Sequence, residues 1–143
     1  MRIVFDTSTL EQRGNRGRSI TGHVYFAFNG FSFPSSDWND FVVVIVSWWL
    51  DALQTIRENQ EATLRFMDGP YSLVLSVEKS DTALARCIEE RDELVTIHQE
   101  FVELSDLCSE IHSLAQLIVF HCRENGMESS DVDLLESRVV GTA

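Results

Sequence analysis

Apolar residues run almost unbroken from Phe41 to Leu53, where only Ser47 and Asp51 interrupt them. A segment of that character must be wrapped on nearly all sides by the rest of the chain. The β-branched run Val42 to Val46 favours a strand by propensity. The termini and the period favour a helix. Ser36 can cap it, Asp37 and Asp40 suit the positive end of its dipole, and Arg57 suits the negative end. Trp38, Phe41, Ile45, Trp48, Ala52 and Ile56 also recur at helical intervals. The pattern thus predicts a helix over 36–58, buried around most of its circumference.

Elsewhere the period shortens to two. Arg2 to Phe5 reads as a short strand, followed by a polar, glycine-bearing connection from Arg13 to Arg18. From Ile20 to Phe28 the chain alternates, with Val24, Phe26 and Phe28 on one face and Tyr25 and Ala27 on the other. Asn29-Gly30 is a favoured hairpin turn because both residues tolerate positive φ, and Phe31 to Phe33 supplies the returning strand before Pro34 ends it. Asp68-Gly69 joins Ala62–Met67 to Tyr71–Val77 as a second hairpin, and Glu90 to Glu93 closes a third between Thr82–Glu89 and Leu94–Phe101.

Leu104, Leu107, Cys108, Ile111, Ala115, Ile118 and Cys122 repeat at three and four, which predicts a helix over 104–125 stopped by Gly126. Ser130-x-x-Asp133 opens a short final helix before Leu134-Leu135. These elements define an α+β, two-layer fold. Its antiparallel, mostly meander sheet is expected to carry the two main helices on one face, with a short C-terminal helix, as a single domain over 1–143.

Composition narrows the class. At 143 residues, 44% apolar and 24% charged, the chain has the balance of a folded protein with one core. Met1 to Asp6 reaches a carboxylate too early for a secretory signal, and the apolar run is too short and too interrupted by Asp51 to span a bilayer. A cytoplasmic protein is expected. Residues 1–40 balance four arginines against four acids, so residues 41–143 carry the whole formal charge of −12. That asymmetry repels nucleic acid and anionic membrane and favours a basic protein partner.

Candidate chemistry is sparse. Three cysteines, Cys87, Cys108 and Cys122, have neither disulfide nor zinc-ribbon spacing. Cys108 and His112 share a helix with His121 and Cys122, but positions 108 and 122 lie about 21 Å apart along it, too far for one ion. A complete set would have to borrow Cys87 or His98, so no metal and no cofactor are expected. His23, His98, His112 and His121 lack the motifs of hydrolases, metalloproteases or nucleotide-binding enzymes. Arg13, Arg16 and Arg18 with Gly14 and Gly17 could cradle an oxyanion, yet the spacing fits no established phosphate loop, and a solvated connection is the simpler account.

The strongest surface feature is acidic. Glu89, Glu90, Asp92 and Glu93 crowd around one turn with only Arg91 among them. Such crowding costs local stability through like-charge repulsion and suits a surface that meets a cationic partner. Adjacent Trp48 and Trp49 point about 100° apart on a helix and cannot share one narrow face. An exposed ring of Trp38 or Trp49 would mark a second partner surface or a homodimer contact.

Phe31-Ser-Phe33-Pro34, Trp38-Asn-Asp40-Phe41 and Trp48-Trp49-Leu50 resemble a pattern in small bacterial proteins. The acidic, motif-poor build resembles the immunity proteins of polymorphic toxin systems. That resemblance implies a non-catalytic inhibitor that neutralises a basic toxin or nuclease, and it carries over no site residues. Two readings of other classes stay open: a small enzyme or ligand-binding protein whose aromatic-lined pocket between sheet and helices is reached by His98 or His23, and a homodimeric structural component of an assembly.

Overall fold

Twelve elements follow one another in the computed structural model, which describes residues 1–13 and 19–141. They are β1 (Arg2–Arg13), β2 (Ser19–Phe28), β3 (Phe31–Phe33), β4 (Asn39–Asp40), α1 (Val42–Gln54), α2 (Ile56–Asn59), β5 (Glu61–Arg65), β6 (Tyr71–Lys79), β7 (Thr82–Glu90), β8 (Leu94–Glu103), α3 (Leu104–Glu124) and α4 (Ser130–Gly141). The fold is α+β. Arg13 ends β1, which therefore runs well past Phe5, and the remainder of the arginine-glycine connection, Gly14 to Arg18, lies outside the described residues.

The alternation in β2 buries Ile20, Val24, Phe26 and Phe28, and the Asn29-Gly30 turn returns the chain so that Phe28 pairs with Phe31 and Phe26 with Phe33. Gly30 adopts φ +78°, a conformation open to glycine at little cost. The strands divide between two antiparallel sheets, β1-β2-β3 with β4 also on β2, and β5-β6-β7-β8. One continuous meander does not form. β3 and β4 share the second edge of β2, where they pair over three and two residues, and the chain then leaves as α1. The second sheet starts afresh at Glu61.

Val42 to Val46 is helical, as the period of the run predicts. Val42, Val43, Ile45, Val46, Trp49 and Leu50 are all buried. Each such side chain contributes about 1.5–3 kcal/mol of transfer free energy, which outweighs the few tenths lost to β-branching. The ends differ from the expected 36–58. Residues 36–41 are not helical, Ser36 caps nothing there, and Asn39–Asp40 pairs with His23 and Gly22. Asp40 is withdrawn from the dipole by its own ligands. Its buried carboxylate accepts from Trp38 Nε1 at 2.9 Å, Phe41 N at 2.7 Å, and Met67 N and Asp68 N at 3.1 Å each. At the other end the helix breaks at Thr55, and Arg57 lies in α2, where it donates to Ser80 O and Asp81.

α3 buries the predicted stripe at Leu104, Leu107, Ile111, Ala115, Ile118 and Cys122, and leaves Cys108 half-buried at its margin. Gly126 at φ +65° ends it, with Met127 N donating to Cys122 O at 2.8 Å. Ser129 rather than Ser130 caps α4, since its Oγ accepts from Val132 N at 3.2 Å. Asp133 instead pairs with Arg123 across the α3–α4 corner. α1, α3 and α4 pack on one another, and both sheets join them in one contiguous buried cluster.

Candidate docking surface

The β7–β8 hairpin places the acidic residues singled out by sequence. Glu90 pairs with Leu94 and Glu89 with Val95, so the three residues 91–93 close the turn. Glu89, Asp92 and Glu93 surround a hollow of about 330 Å³ that also contains Arg91 and Val95. Glu90 is exposed and alternates to the opposite face of the strand. Arg91 is already engaged: its Nε bonds Glu89 and its guanidinium reaches Tyr71 Oη. Glu90, Asp92 and Glu93 are exposed, as Arg91 is.

Beside these acids lies a surface that the sequence reading missed. Leu94 and Phe101 are each 67% exposed, and Val95 and Ile97 are more than two-fifths exposed. β8 is the last strand of its sheet and, among the described residues, pairs with β7 alone. The register shifts between Cys87↔His98 and Ile88↔Thr96, so Ile97 is an extra, bulged residue. The bulge sets Leu94 and Thr96 on the same face as Gln99 and Phe101. A strict alternation would have placed them opposite, which is why sequence spacing could not identify this face.

At the far end of β8 a second hollow, about 190 Å³, lies between Met1, Phe101, Val102 and Leu107 and the carboxylates of Glu103, Asp106 and Glu110. Glu110 accepts from Ile3 N at 2.6 Å and so ties α3 to β1. Glu103 and Asp106 crowd each other, and the contact raises the Glu103 pKa above its ordinary value. Asp81 behaves oppositely. It accepts from Ser105 Oγ, from Arg57 and from Ser105 N, which lowers its pKa and holds the start of α3 to the β6–β7 turn.

Of the two tryptophans expected at a partner surface, Trp49 is interior and Trp38 half-buried. Trp49 is fully buried, stacks on Phe26 with centroids 5.1 Å apart and donates to Arg65 O at 2.8 Å, so it cannot reach a partner. Its position on the inward side of α1 leaves Trp48 as the outward ring, 42% exposed. Trp38 is half-buried, edge-on to Tyr71 and Phe66, with its indole N–H held by Asp40.

His98 stacks on Phe31 at 4.7 Å and sits 3.1 Å from Glu100, at the inner side of β8. A hollow of about 440 Å³ lies between α1 and α3 and is lined by residues including Leu50, Leu53, Cys108 and His112 rather than by aromatics with His98 or His23. Burial raises the pKa of Cys108, pushes Cys122 up to about 11 and, with help from Glu100, pushes Cys87 up to about 12. All three thiols stay protonated and are weak nucleophiles at neutral pH. Among the described residues no group of three or more His, Cys, Asp or Glu side chains could hold a metal ion, and no helix is long and apolar enough to cross a membrane.

A scan against protein-family models, a search of curated proteins and a search of solved structures each gave no match to this chain.

Proposed function

We propose that the protein is a non-catalytic binding protein that captures a basic protein through the β7–β8 hairpin, with neutralisation of a basic toxin or nuclease as its concrete form. The observation that carries this reading is the run of exposed apolar side chains along the edge strand β8, Leu94 and Phe101 on one face, Val95 on the other and Ile97 at the bulge, bordered at both ends by carboxylates. An apolar centre supplies contact energy, and acids around it steer a cationic partner to the surface and speed association.

The test is affinity capture from the native cells with the wild-type chain and with the Glu89→Lys plus Glu93→Lys variant side by side, followed by association kinetics of the retained protein across a salt series. A basic protein is expected whose association rate falls with the double charge reversal and with salt, while its dissociation rate changes little. An association rate indifferent to both would overturn the reading.

A further inference from the structure

The edge strands β1, β5 and β8 differ in what covers them. Ile3 on β1 donates its N–H to Glu110, so α3 occupies part of that edge. β5 is five residues long and packs against α1 and α2. β8 differs from both. Like them it has one neighbouring strand among the described residues, but over its ten residues the apolar side chains of Leu94, Val95, Ile97 and Phe101 face solvent. An edge of this length is a template for another strand.

We propose that β8 takes up an extended segment of the partner as an added strand, the segment carrying apolar side chains at its centre and a basic side chain toward each end. This rests on the protein-binding reading above and specifies its geometry. The apolar side chains would lie on Ile97 and Phe101. The basic ones would enter the two acid-lined hollows, which adjoin Val95 at one end of the strand and Phe101 at the other. β7 covers the same stretch from Glu89, opposite Val95, to Leu84, opposite Phe101, because Ile97 is an extra residue, so an unbulged segment should carry its two basic residues about five apart, one on each face.

Charge decides the occupant. A second copy of this chain would bring another formal −12 to the same edge and would set Glu89, Glu93, Glu100 and Glu103 against carboxylates of their own kind. Like charges across a strand pair are destabilising, whereas a lysine or arginine placed there meets acids whose present crowding is already unfavourable. The mutual hydrogen bond and repulsion of Glu103 and Asp106 are of that sort, and a cation between them would relieve both.

The probe is a capped nonapeptide of valine and threonine between two lysines five residues apart, together with the same peptide N-methylated at each central residue. The methylated form keeps charge and side chains but lacks the backbone donors that a ladder requires. Amide hydrogen exchange of the 143-residue chain is followed by NMR. At about ten times its Kd, the unmodified peptide is expected to slow exchange at alternate amides of β8 about tenfold and to leave β5 unchanged. The methylated peptide should give no such protection, and Phe101→Ser should weaken binding of the unmodified one. Equal binding and equal effects of both peptides would overturn strand addition while leaving the salt-dependent capture of a basic protein intact. Protection of β8 that grows with protein concentration alone would also overturn it, by identifying a second copy as the occupant. A peptide that leaves β8 exchange unaltered at saturating concentration overturns it as well.

Discussion

Replacing Asp40 with alanine removes one small side chain and strips four donors of their acceptor. The carboxylate is 1% exposed, Oδ1 receives Phe41 N, and Oδ2 receives Trp38 Nε1, Met67 N and Asp68 N. These bonds join the end of β4 and the entry to α1 with the connection between β5 and β6, so the loss is felt at the contact between the two sheets. A hydrogen bond to a charged acceptor contributes about 1.5–3 kcal/mol net, but part-buried N–H groups recover some of it from water once a cavity opens. The expected cost is therefore about 3–5 kcal/mol, the range for breaking a buried charged network. Asp40→Asn keeps one acceptor oxygen. Turned toward the three donors on the Oδ2 side, it would set its amide N–H₂ against Phe41 N, for an expected cost of about 1–3 kcal/mol. Urea unfolding at pH 7, followed by tryptophan fluorescence, measures both. A loss below about 1 kcal/mol for alanine with an unchanged m-value would refute the assignment of Asp40 as the tie between the sheets.

Ile45 is fully buried in α1, so Ile45→Ala should cost about 2–5 kcal/mol in the same assay, whereas a loss under about 0.5 kcal/mol would place it at the surface. Thiol titration at pH 8 should leave Cys87 and Cys122 unlabelled in the folded protein, label Cys108 slowly and label all three in denaturant; rapid labelling of Cys87 without unfolding would contradict its burial and raised pKa. The lowered pKa of Asp81 means that its contribution is complete above its unfolded value near about 4 and is lost as pH falls through the folded value. Asp81→Asn should therefore be less stable than wild type at pH 7 and converge on it in strong acid; a gap in urea midpoint that stays constant from pH 7 to pH 2 would show that the charge of Asp81 plays no part.

The exposed apolar strip on β8 is a hazard as well as an opportunity, because an uncovered edge invites pairing between copies. Three features of the strand work against that outcome: the bulge at Ile97, the acids Glu100 and Glu103 along the strand, and the acidic turn at its start. The same acids favour a cationic segment. One distribution of charge thus opposes self-association and selects a partner.

Local periodicity decided much of this protein. The alternation from Ile20 to Phe28, the Asn29-Gly30 turn and the spacing of three and four from Leu104 to Cys122 each specify their own element, because the buried face of a strand or helix is written into neighbouring residues. The separation of Trp48 from Trp49 was legible for the same reason, although which of the two rings points inward was not. The acidic turn could be read from composition alone. What lay beyond the sequence depended on partners far along the chain. Asp40 had the chemistry of a helix start, yet Met67 and Asp68 claim it from 27 and 28 residues away. Ser47 and Asp51 looked like interruptions in an apolar run, and both meet Arg138 of α4, Ser47 across a separation of 91 residues. The division into two sheets arose where the chain leaves β4 as α1 and starts a new sheet at Glu61, and the outward face of β8 from a bulge in its register with β7. Periodicity is a property of adjacent residues, whereas edges, registers and buried charges are settled by which distant donors and strands arrive beside them.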